Sequence, residues 1–537
     1  MTIEALSVRS TYQPDEQPQI EIRGLPEPGT LHVFHLGDQV DVRSIEADGI
    51  ASLASLPPGG YGVEVRAGDA AARTAIEVLA DGSARMRYGF LADYRPGRAV
   101  DGVRDNIRRL HLTDIQFYDW AYRHADLVGG GEEYADALGQ TIALATVRDL
   151  IAAVRSTGAR ALGYAAVYGV GNDEWPTWAG AALLTPAGEP YGLGDFLGLV
   201  DPAEPRWLAH FTSDLRAATD RLGFDGFHLD QYGYPKYATR PDGVPVRVED
   251  SFATLIAAAR AALPASRLVF NNVNTFPVWR TAGTAQDAVY VEVWAPHSTL
   301  DHLARVVRDA QAAGGGKPVV VAAYQQVYET TDAAAADLAS AFTMATLFSH
   351  GATHLLCGEA DRVLVDPYYV RNHKVEASTA AHLVRWYDFL VEHGELLDDP
   401  SLTEMTGALG GAYNDDCDVT YPDVEVTEAA TAGSIWRRIV GSGDRLIVHL
   451  INLSGQDNAE WDTTRAPIEP LPAGVLRIRR AGVGLPRVRV ADPDRQARLR
   501  DLPVVADGDY ARVDVPAPYV WQMLVIDLRP APDVVEM

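Results

Sequence analysis

The sequence is poor in cysteine and in long apolar runs. Its 537 residues include two cysteines, Cys357 and Cys417, which are too few for a disulfide framework or a structural zinc site. No segment approaches the roughly 18 consecutive apolar residues of a membrane-spanning helix, so we expect no membrane partner. The first residues lack the basic and apolar regions of a secretory signal. The sequence as written therefore predicts a cytoplasmic protein, or a secreted one if it is a trimmed mature form.

Basic charge is scarce relative to acidic charge. The chain carries 46 Lys and Arg against 73 Asp and Glu, a formal net charge of −27, which argues against a nucleic-acid partner. Hydrophobic residues make up 47% and charged residues 22% of the chain, as in ordinary globular proteins. At about 150 residues per domain, the length predicts three or four folding units. The sequence does not indicate an oligomeric state.

The motifs of several enzyme classes are missing. There is no Gly-x-Ser-x-Gly elbow and no His-Glu-x-x-His helix, which excludes the usual serine hydrolases and zinc proteases. The glycines at 314–316 precede Lys317 without the spacing of a phosphate-binding loop. His350 and His354 lack carboxylate partners of obvious geometry. We therefore predict no metal and no redox or organic cofactor.

Both ends of the chain have the pattern of β-structure. Residues 1–85 contain short runs of alternating hydrophobicity between Pro and Gly clusters, which predicts a small immunoglobulin-like β-sandwich. Residues 399–537 return to strand-like runs separated by polar turns. We predict a second β-sandwich there.

Residues 86–398 alternate strand-like runs with helical spacing. The region is long enough for eight strand–helix units, so the fold class predicted is a multidomain α/β protein with a central catalytic (β/α)8 TIM barrel. A doubly wound sheet is the alternative, but no Gly-rich loop follows an early strand. The eight candidate strands begin at Met86, Thr113, Arg160, Asp225, Arg267, Ala288, Pro318 and Thr353.

Two carboxylates stand at the ends of apolar strands. Asp230 ends the fourth strand, and Glu292 lies near the end of the sixth. Burying a charge costs several kcal/mol unless it is compensated, and active sites of TIM barrels form at the carboxyl ends of the strands. Such a pair is what glycosidic bond cleavage needs. The alternative is that each carboxylate pairs with an arginine or caps a helix.

Aromatic and polar residues near the other strand ends suggest sugar binding. Seven of the ten tryptophans fall in the barrel region, and flat rings stack on sugar C–H faces while polar groups bind the hydroxyls. A single tryptophan is more often a core residue. Asp119 could instead form an ion pair with Arg123, and Glu359 could form a surface ion pair. Asn271, Asn272 and Asn274 end the fifth strand and could contact sugar or close a turn. The predicted substrate-binding residues are Tyr118, Asp119, Trp120, His124, Tyr168, His228, Gln231, Tyr232, Asn272, Trp294, Gln325 and Glu359.

Three stretches resemble glycoside hydrolase family 66, which contains dextranases and cycloisomaltooligosaccharide glucanotransferases. They are the string from Gly223 to Asp230 and Gly233, the string 290–294 (Tyr-Val-Glu-Val-Trp), and 117–124 with its Tyr-Asp-Trp and Tyr-Arg-His. The resemblance implies a retaining mechanism on α-1,6-linked glucan. By resemblance, Asp230 is the nucleophile and Glu292 the general acid/base.

Two departures from the family pattern leave alternatives open. Gln231 and Tyr232 do not match the residues of the family's dextranases, and the barrel region has no large carbohydrate-binding insertion like that of the transferases. We therefore expect hydrolysis of an α-glucan or oligosaccharide substrate. The alternatives are a glucanotransferase, a glycosidase of another linkage, and a non-catalytic carbohydrate-binding protein.

Overall fold

A curled sheet of eleven strands forms the centre of the molecule. The computed structural model describes residues 3–411, 413–480, 482 and 484–528, so residues 529–537 of the predicted C-terminal β-sandwich lie outside the described residues. Eight parallel strands of this sheet, β1–β8, neighbour one another in chain order, which excludes the reversed strand order of a doubly wound sheet. They are Tyr88–Leu91, Asp114–Phe117, Arg160–Ala166, Gly226–Asp230, Arg267–Val273, Ala288–Glu292, Val319–Ala322 and Ala352–His354.

One segment of the chain pairs with both edges of the parallel series. β8 pairs with β7, and Cys357–Gly358, three residues further on, pairs with β1 through Gly358 and Phe90. Two short antiparallel strands, Arg362–Val363 and His373–Lys374, extend the sheet from there. The carboxyl ends of β1–β8 therefore face the same side of the molecule.

Helices connect the parallel strands, as the sequence predicts. The third, Pro205–Leu222, shows why: Glu204 caps it by accepting from Trp207 N at 2.8 Å, and Gly223 ends it with a φ of 82°. Its buried residues recur at helical spacing, so one face packs against the sheet. The helices α1–α8 are Asp101–Arg109, Leu144–Ser156, Pro205–Leu222, Val248–Ala262, Val278–Thr281, Leu300–Gly314, Ala333–Ser349 and Ala377–Glu392.

The connections at the carboxyl side carry short elements of their own. Strand pairs or triplets form from Glu133–Ala135 with Thr141–Ala143, from Gly169–Gly171 with Gly192–Leu193 and Leu197–Leu199, and from Tyr237–Thr239 with Pro245–Arg247. Short helical turns occupy Trp175–Trp178, Ala179–Ala181, Val327–Thr330 and Tyr369–Arg371 in these connections, and two more, Gly394–Leu397 and Thr406–Leu409, follow α8.

Two sheets precede the central one. The first contains Glu4–Ser7, Gln19–Arg23 and Gly49–Ser52, and the second contains Gly29–His35, Asp38–Ile45, Gly59–Ala67 and Ala70–Val78. They share a buried core of aliphatic and tyrosine side chains.

Two further sheets follow the central one. The seven-stranded sheet consists of Thr403–Glu404, Val426–Thr427, Ile435–Ser442, Arg445–Asn452, Arg487–Asp492, Gln496–Leu502 and Trp521–Asp527. The four-stranded sheet consists of Cys417–Thr420, Gly474–Arg479, Val504–Asp507 and Tyr510–Val515. The larger sheet contacts α8, where the rings of Trp386 and Trp521 lie 5.9 Å apart. The domain boundaries at 85/86 and 398/399 stay predictions.

Within the described residues, no helix combines the length and the apolar character needed to cross a bilayer. The same residues contain no group of three or more His, Cys, Asp or Glu side chains that could hold a metal ion.

Candidate active site

Asp230 and Glu292 meet at the carboxyl side of the central sheet, as predicted. Each is the last residue of its strand, β4 and β6, and the strand between them supplies Asn271. The Asn271 side-chain nitrogen donates to Asp230 Oδ1 and to Glu292 Oε2, both at 2.7 Å. Since both oxygens lie 2.7 Å from the same atom, they are at most 5.4 Å apart.

The outer oxygens of the two carboxyl groups have tyrosine donors. The Tyr164 hydroxyl, on β3, donates to Asp230 Oδ2 at 2.8 Å. The Tyr324 hydroxyl, just after β7, donates to Glu292 Oε1 at 3.0 Å. Donors to a carboxylate favour its ionised form and fix its orientation. Five neighbouring strands thus hold the pair in place.

The pair lies in a cavity of about 270 Å³. The residues that line it come from the ends of β2–β8 or from the loops after these strands. The rings of Tyr118 and Tyr369 stack 4.3 Å apart in one wall, and Trp294 lies at the rim, 39% exposed. A cavity with aromatic walls and a few convergent polar groups is typical of a small-ligand site. Its aromatic lining residues are Tyr118, Tyr164, Phe196, Tyr232, Tyr290, Trp294, Tyr324, Tyr368 and Tyr369.

Burial gives the two carboxyl groups unequal proton affinities. It raises the pKa of Asp230 to about 6, against the stabilising hydrogen bonds of Asn271 and Tyr164. It raises the pKa of Glu292 to about 7, where the negative charge of Asp230 adds to the effect of burial. Asp230 is therefore the group that ionises first, and Glu292 the one that keeps its proton. Neighbouring carboxyl groups with pKa values pushed apart mark an acid and its partner base or nucleophile.

A neutral histidine lies beside Asp230. His228 is buried, and burial lowers its pKa to about 3. Its Nδ1 lies 3.1 Å from the Tyr88 hydroxyl, and its Nε2 is 4.0 Å from Asp230 Oδ1. Because the ring carries no positive charge, it leaves the negative charge of Asp230 uncompensated.

Asp119 and His124 bring two further polar groups to the cavity wall. Asp119 has a φ of 46°. Burial, with the charges of Asp136 and Asp230, raises the pKa of Asp119 to about 8, so it is protonated at neutral pH. Burial lowers the pKa of His124 to about 4. Arg123, the alternative partner for Asp119, binds Asp173 instead.

Seven of the predicted substrate-binding residues line the cavity. Gln231 is the most constrained, since its side-chain nitrogen donates to the backbone oxygens of Asn271 and Phe276, both at 3.1 Å. The seven are Tyr118, Asp119, His124, His228, Gln231, Tyr232 and Trp294.

The other five lie outside the cavity lining. Trp120 is fully buried, and its indole nitrogen donates to the Tyr164 backbone oxygen at 3.1 Å. Tyr168 is also buried and donates to the Tyr234 backbone oxygen at 2.6 Å, which holds the loop after β4. Both aromatic side chains therefore belong to the core. For Trp120 this is the alternative named above for a single tryptophan.

The three polar residues among these five also lie outside the cavity lining. Asn272 is buried and donates to the backbone oxygens of Phe270 and Tyr290 at 3.2 and 2.9 Å. Gln325 donates to Thr343 Oγ1 at 3.2 Å. Glu359 binds Arg98 and accepts from the backbone nitrogens of residues 92 and 93. All three side chains thus form hydrogen bonds or ion pairs with other groups of the protein.

The sequence pattern did not identify the tyrosines that bind the carboxylates. Tyr164 and Tyr324 sit in or next to apolar strands, where an aromatic residue reads as core. Tyr369, which stacks on Tyr118 in the cavity wall without binding either carboxyl group, lies in the long loop after β8. The pattern that could have pointed to Tyr164 is the two-residue alternation of β3, which places Tyr164 on the same side of the sheet as Leu162.

Comparisons with known proteins identify the family of the chain. The profile of Glycosyl hydrolase family 66 matches residues 22–525. A cycloisomaltooligosaccharide glucanotransferase of Niallia circulans is 26% identical over 294 residues, 49% of this chain and 30% of the relative. A dextranase of Streptococcus salivarius is 25% identical over 368 residues, 59% of this chain and 44% of the relative. The aligned parts thus span less than half the length of these relatives.

A solved structure resembles nearly the whole chain. The cycloisomaltooligosaccharide glucanotransferase of a Paenibacillus species, complexed with cycloisomaltoheptaose, superposes with a TM-score of 0.86 at 17% identity. The alignment covers 98% of this chain and 100% of the other, and it speaks for the fold. With the family profile matching nearly from end to end, the chain belongs to glycosyl hydrolase family 66 and is an enzyme of the glycoside hydrolase type.

Proposed function

We propose that the protein is a retaining glycoside hydrolase that cleaves α-1,6-glucosidic bonds in dextran or isomaltooligosaccharides. The observation that carries the mechanism is the shared Asn271 donor, which keeps the facing oxygens of Asp230 and Glu292 within 5.4 Å. Retaining enzymes keep their two carboxyl groups about 5–5.5 Å apart, whereas inverting enzymes need about 6.5–9.5 Å to admit a water molecule.

The scaffold in this proposal is a (β/α)8 barrel between two β-sandwich domains. The strand order and the pairing of 352–358 with both β7 and β1 support closure of the barrel. The position of the carboxylates at the carboxyl ends of β4 and β6 agrees with where such barrels hold their catalytic groups.

Asp230 acts as the nucleophile in the first step. Its ionised carboxylate attacks the anomeric carbon while the bond from that carbon to the leaving oxygen breaks. Glu292 gives its proton to this oxygen, so the departing sugar leaves as a neutral alcohol. The donors Asn271 and Tyr164 keep the attacking carboxylate in one orientation.

Glu292 changes role in the second step. After it has lost its proton, it accepts one from an incoming water, whose oxygen attacks the anomeric carbon and displaces Asp230. The charge on Asp230 is masked in the covalent intermediate, so Glu292 no longer faces a negative neighbour and is more stable as a base. Two displacements return the starting configuration.

Transfer to a sugar hydroxyl is the second candidate activity. It requires the same intermediate, with an acceptor sugar in place of water. The observation that favours it is that the relatives include proteins named as glucanotransferases.

Product analysis with dextran tests both candidates. We expect linear isomaltooligosaccharides that are released as the α-anomer, observed by NMR before mutarotation. Cyclic or elongated products would instead indicate transfer, and initial β-anomer would exclude retention. We expect Asp230→Ala and Glu292→Ala to lose roughly 10³-fold or more of the activity, about 4 kcal/mol of barrier.

Azide separates the two roles, because it replaces water without needing a base. We expect azide to restore turnover of Glu292→Ala on an aryl α-isomaltoside, whose phenolate leaves without a proton from residue 292, with an α-glycosyl azide as the product. Asp230→Ala should give the β-azide or none. Dextran binding without product release, unchanged in Asp230→Asn, would point to the non-catalytic alternative.

A further inference from the structure

Three exposed aromatic side chains lie on neighbouring loops at the carboxyl side of the central sheet. Tyr237 is 70%, Trp279 66% and Trp294 39% exposed. They follow β4, β5 and β6 respectively, which are adjacent strands. Large exposed aromatics on one part of a surface mark interaction sites. Trp294 belongs to the cavity, whereas the other two lie outside its lining.

Polar contacts hold the Trp279 indole in place. Its Nε1 donates to Glu249 Oε2 at 2.8 Å, and Glu249, which is largely buried, also binds Arg247. One ring edge packs against Phe276, with centroids 5.8 Å apart. The indole is therefore anchored at its nitrogen while most of its surface stays in solvent.

Tyr237 joins this surface through the hairpin after β4. It is the register partner of Arg247 in the pair Tyr237–Thr239 and Pro245–Arg247. Arg247 in turn binds Glu249, the anchor of Trp279. Tyr237, Arg247, Glu249 and Trp279 thus form one continuous patch, which we call the Trp279 surface. It combines two exposed rings with the solvent-exposed N–H groups of the Arg247 guanidinium between them.

The Trp279 surface is linked to the wall of the catalytic cavity through Phe276. Gln231, in the cavity wall, donates to the backbone oxygen of Phe276, whose ring contacts Trp279. Lys236, next to Tyr237, places its ammonium group 4.4 Å from the centre of the Phe276 ring. The loops after β4 and β5 therefore form both the wall of the cavity and the surface beside it.

We propose that the Trp279 surface is a second glucan-binding site, which takes a stretch of a polymeric α-glucan chain outside the catalytic cavity. The inference rests on the proposed function for the nature of the ligand. Exposed rings stack on sugar C–H faces, and the groups between them suit sugar hydroxyls. A cavity of about 270 Å³, near the lower limit of ~300 Å³ for small-molecule sites, holds few sugar units. The Trp279 surface would serve the remainder of a long chain.

Affinity electrophoresis of the full chain in dextran-containing gels tests this proposal without requiring turnover. We expect Trp279→Ala and Tyr237→Ala each to weaken dextran binding about five- to tenfold, and Trp279→Phe, which keeps a ring but loses the bond to Glu249, to have a smaller effect. Tyr413→Ala, at a side chain that is 99% exposed in the C-terminal region, is the matched control. Melting temperatures verify that each variant is folded.

Kinetics give the second readout. We expect the ratio of kcat/KM on dextran to kcat/KM on isomaltotriose to fall about fivefold or more in Trp279→Ala. Dextran binding that is equal in wild type, Trp279→Ala and Tyr237→Ala would overturn the second site, as would a wild-type chain that does not bind dextran. Trp279-dependent binding without dextran cleavage would uphold the site and refute the proposed activity.

Discussion

The Tyr164 hydroxyl donates a 2.8 Å hydrogen bond to Asp230 Oδ2. Tyr324 makes the corresponding bond to Glu292 at 3.0 Å. The two tyrosines thus donate to opposite members of the proposed catalytic pair. This symmetry allows the proposed acid and the proposed nucleophile to be perturbed one at a time.

Replacing Tyr164 by Phe removes a donor that stabilises ionised Asp230. The pKa of Asp230 should rise, so the acidic limb of the kcat/KM profile should move to higher pH by about one unit, since a bond to a charged group is worth about 1.5–3 kcal/mol. Tyr324→Phe is the matched variant and should move the alkaline limb to higher pH. Equal movement of both limbs in either variant would contradict these assignments.

The pH dependence of the wild type should be a narrow bell. Activity requires ionised Asp230 and protonated Glu292, whose pKa values are raised to about 6 and about 7. It should therefore rise as the pH passes about 6 and fall as the pH passes about 7, in a kcat/KM profile on isomaltotriose. In Asp230→Asn the pKa of Glu292 should fall, because a like charge has gone. An unchanged Glu292 titration by ¹³C NMR would refute this coupling.

Asn271 and Asn272 offer a matched pair on opposite faces of one strand. Asn271→Ala removes the bridge between the carboxylates, so we expect a 10- to 100-fold loss of kcat/KM and a changed pH profile. Asn272→Ala loses buried hydrogen bonds to backbone oxygens, so we expect a lower melting temperature with an unchanged pH profile. The reverse pattern would place Asn272, not Asn271, at the reacting atoms.

The buried carboxyl groups should reduce stability at high pH. Folding raises the pKa of Glu292 from 4.5 to about 7, so the folded state binds more protons and stability falls as the pH rises between these values. Glu292→Gln should therefore be more stable than wild type at pH 8, by ~3 kcal/mol, and close to it at pH 4. Denaturant unfolding at the two pH values measures the difference, and a Glu292→Gln gain that is the same at both would show that ionisation is not its cause.

The sequence predicted the order of strands and helices, and it predicted that Asp230 and Glu292 lie together at the carboxyl side of the sheet. Asp230 and Glu292 stood out because a charge at the end of an apolar strand is costly and needs a reason. Of the five predicted residues that lie outside the cavity lining, four carry no charge. Trp120 and Tyr168 are aromatic, and whether a ring faces a core or a cavity depends on packing that residue types do not encode.

Asn272 shows the limit most clearly. Successive side chains of a strand point to opposite faces of the sheet. Asn271 therefore faces the cavity, and Asn272 faces away from it. The position of Glu359 could not be predicted either, because its partner Arg98 follows β1 and is distant in sequence. Only the folded chain brings those two residues together.

The pairing of Gly358 with Phe90 has a consequence for synthesis of the chain. β1 emerges from the ribosome early, yet its outer edge stays unpaired until the segment 352–358 follows. Unpaired strand edges recruit other chains, and contacts between distant residues form slowly. A nascent or truncated chain that ends before residue 352 is therefore exposed to aggregation, and chaperone demand should be greatest just before that segment appears.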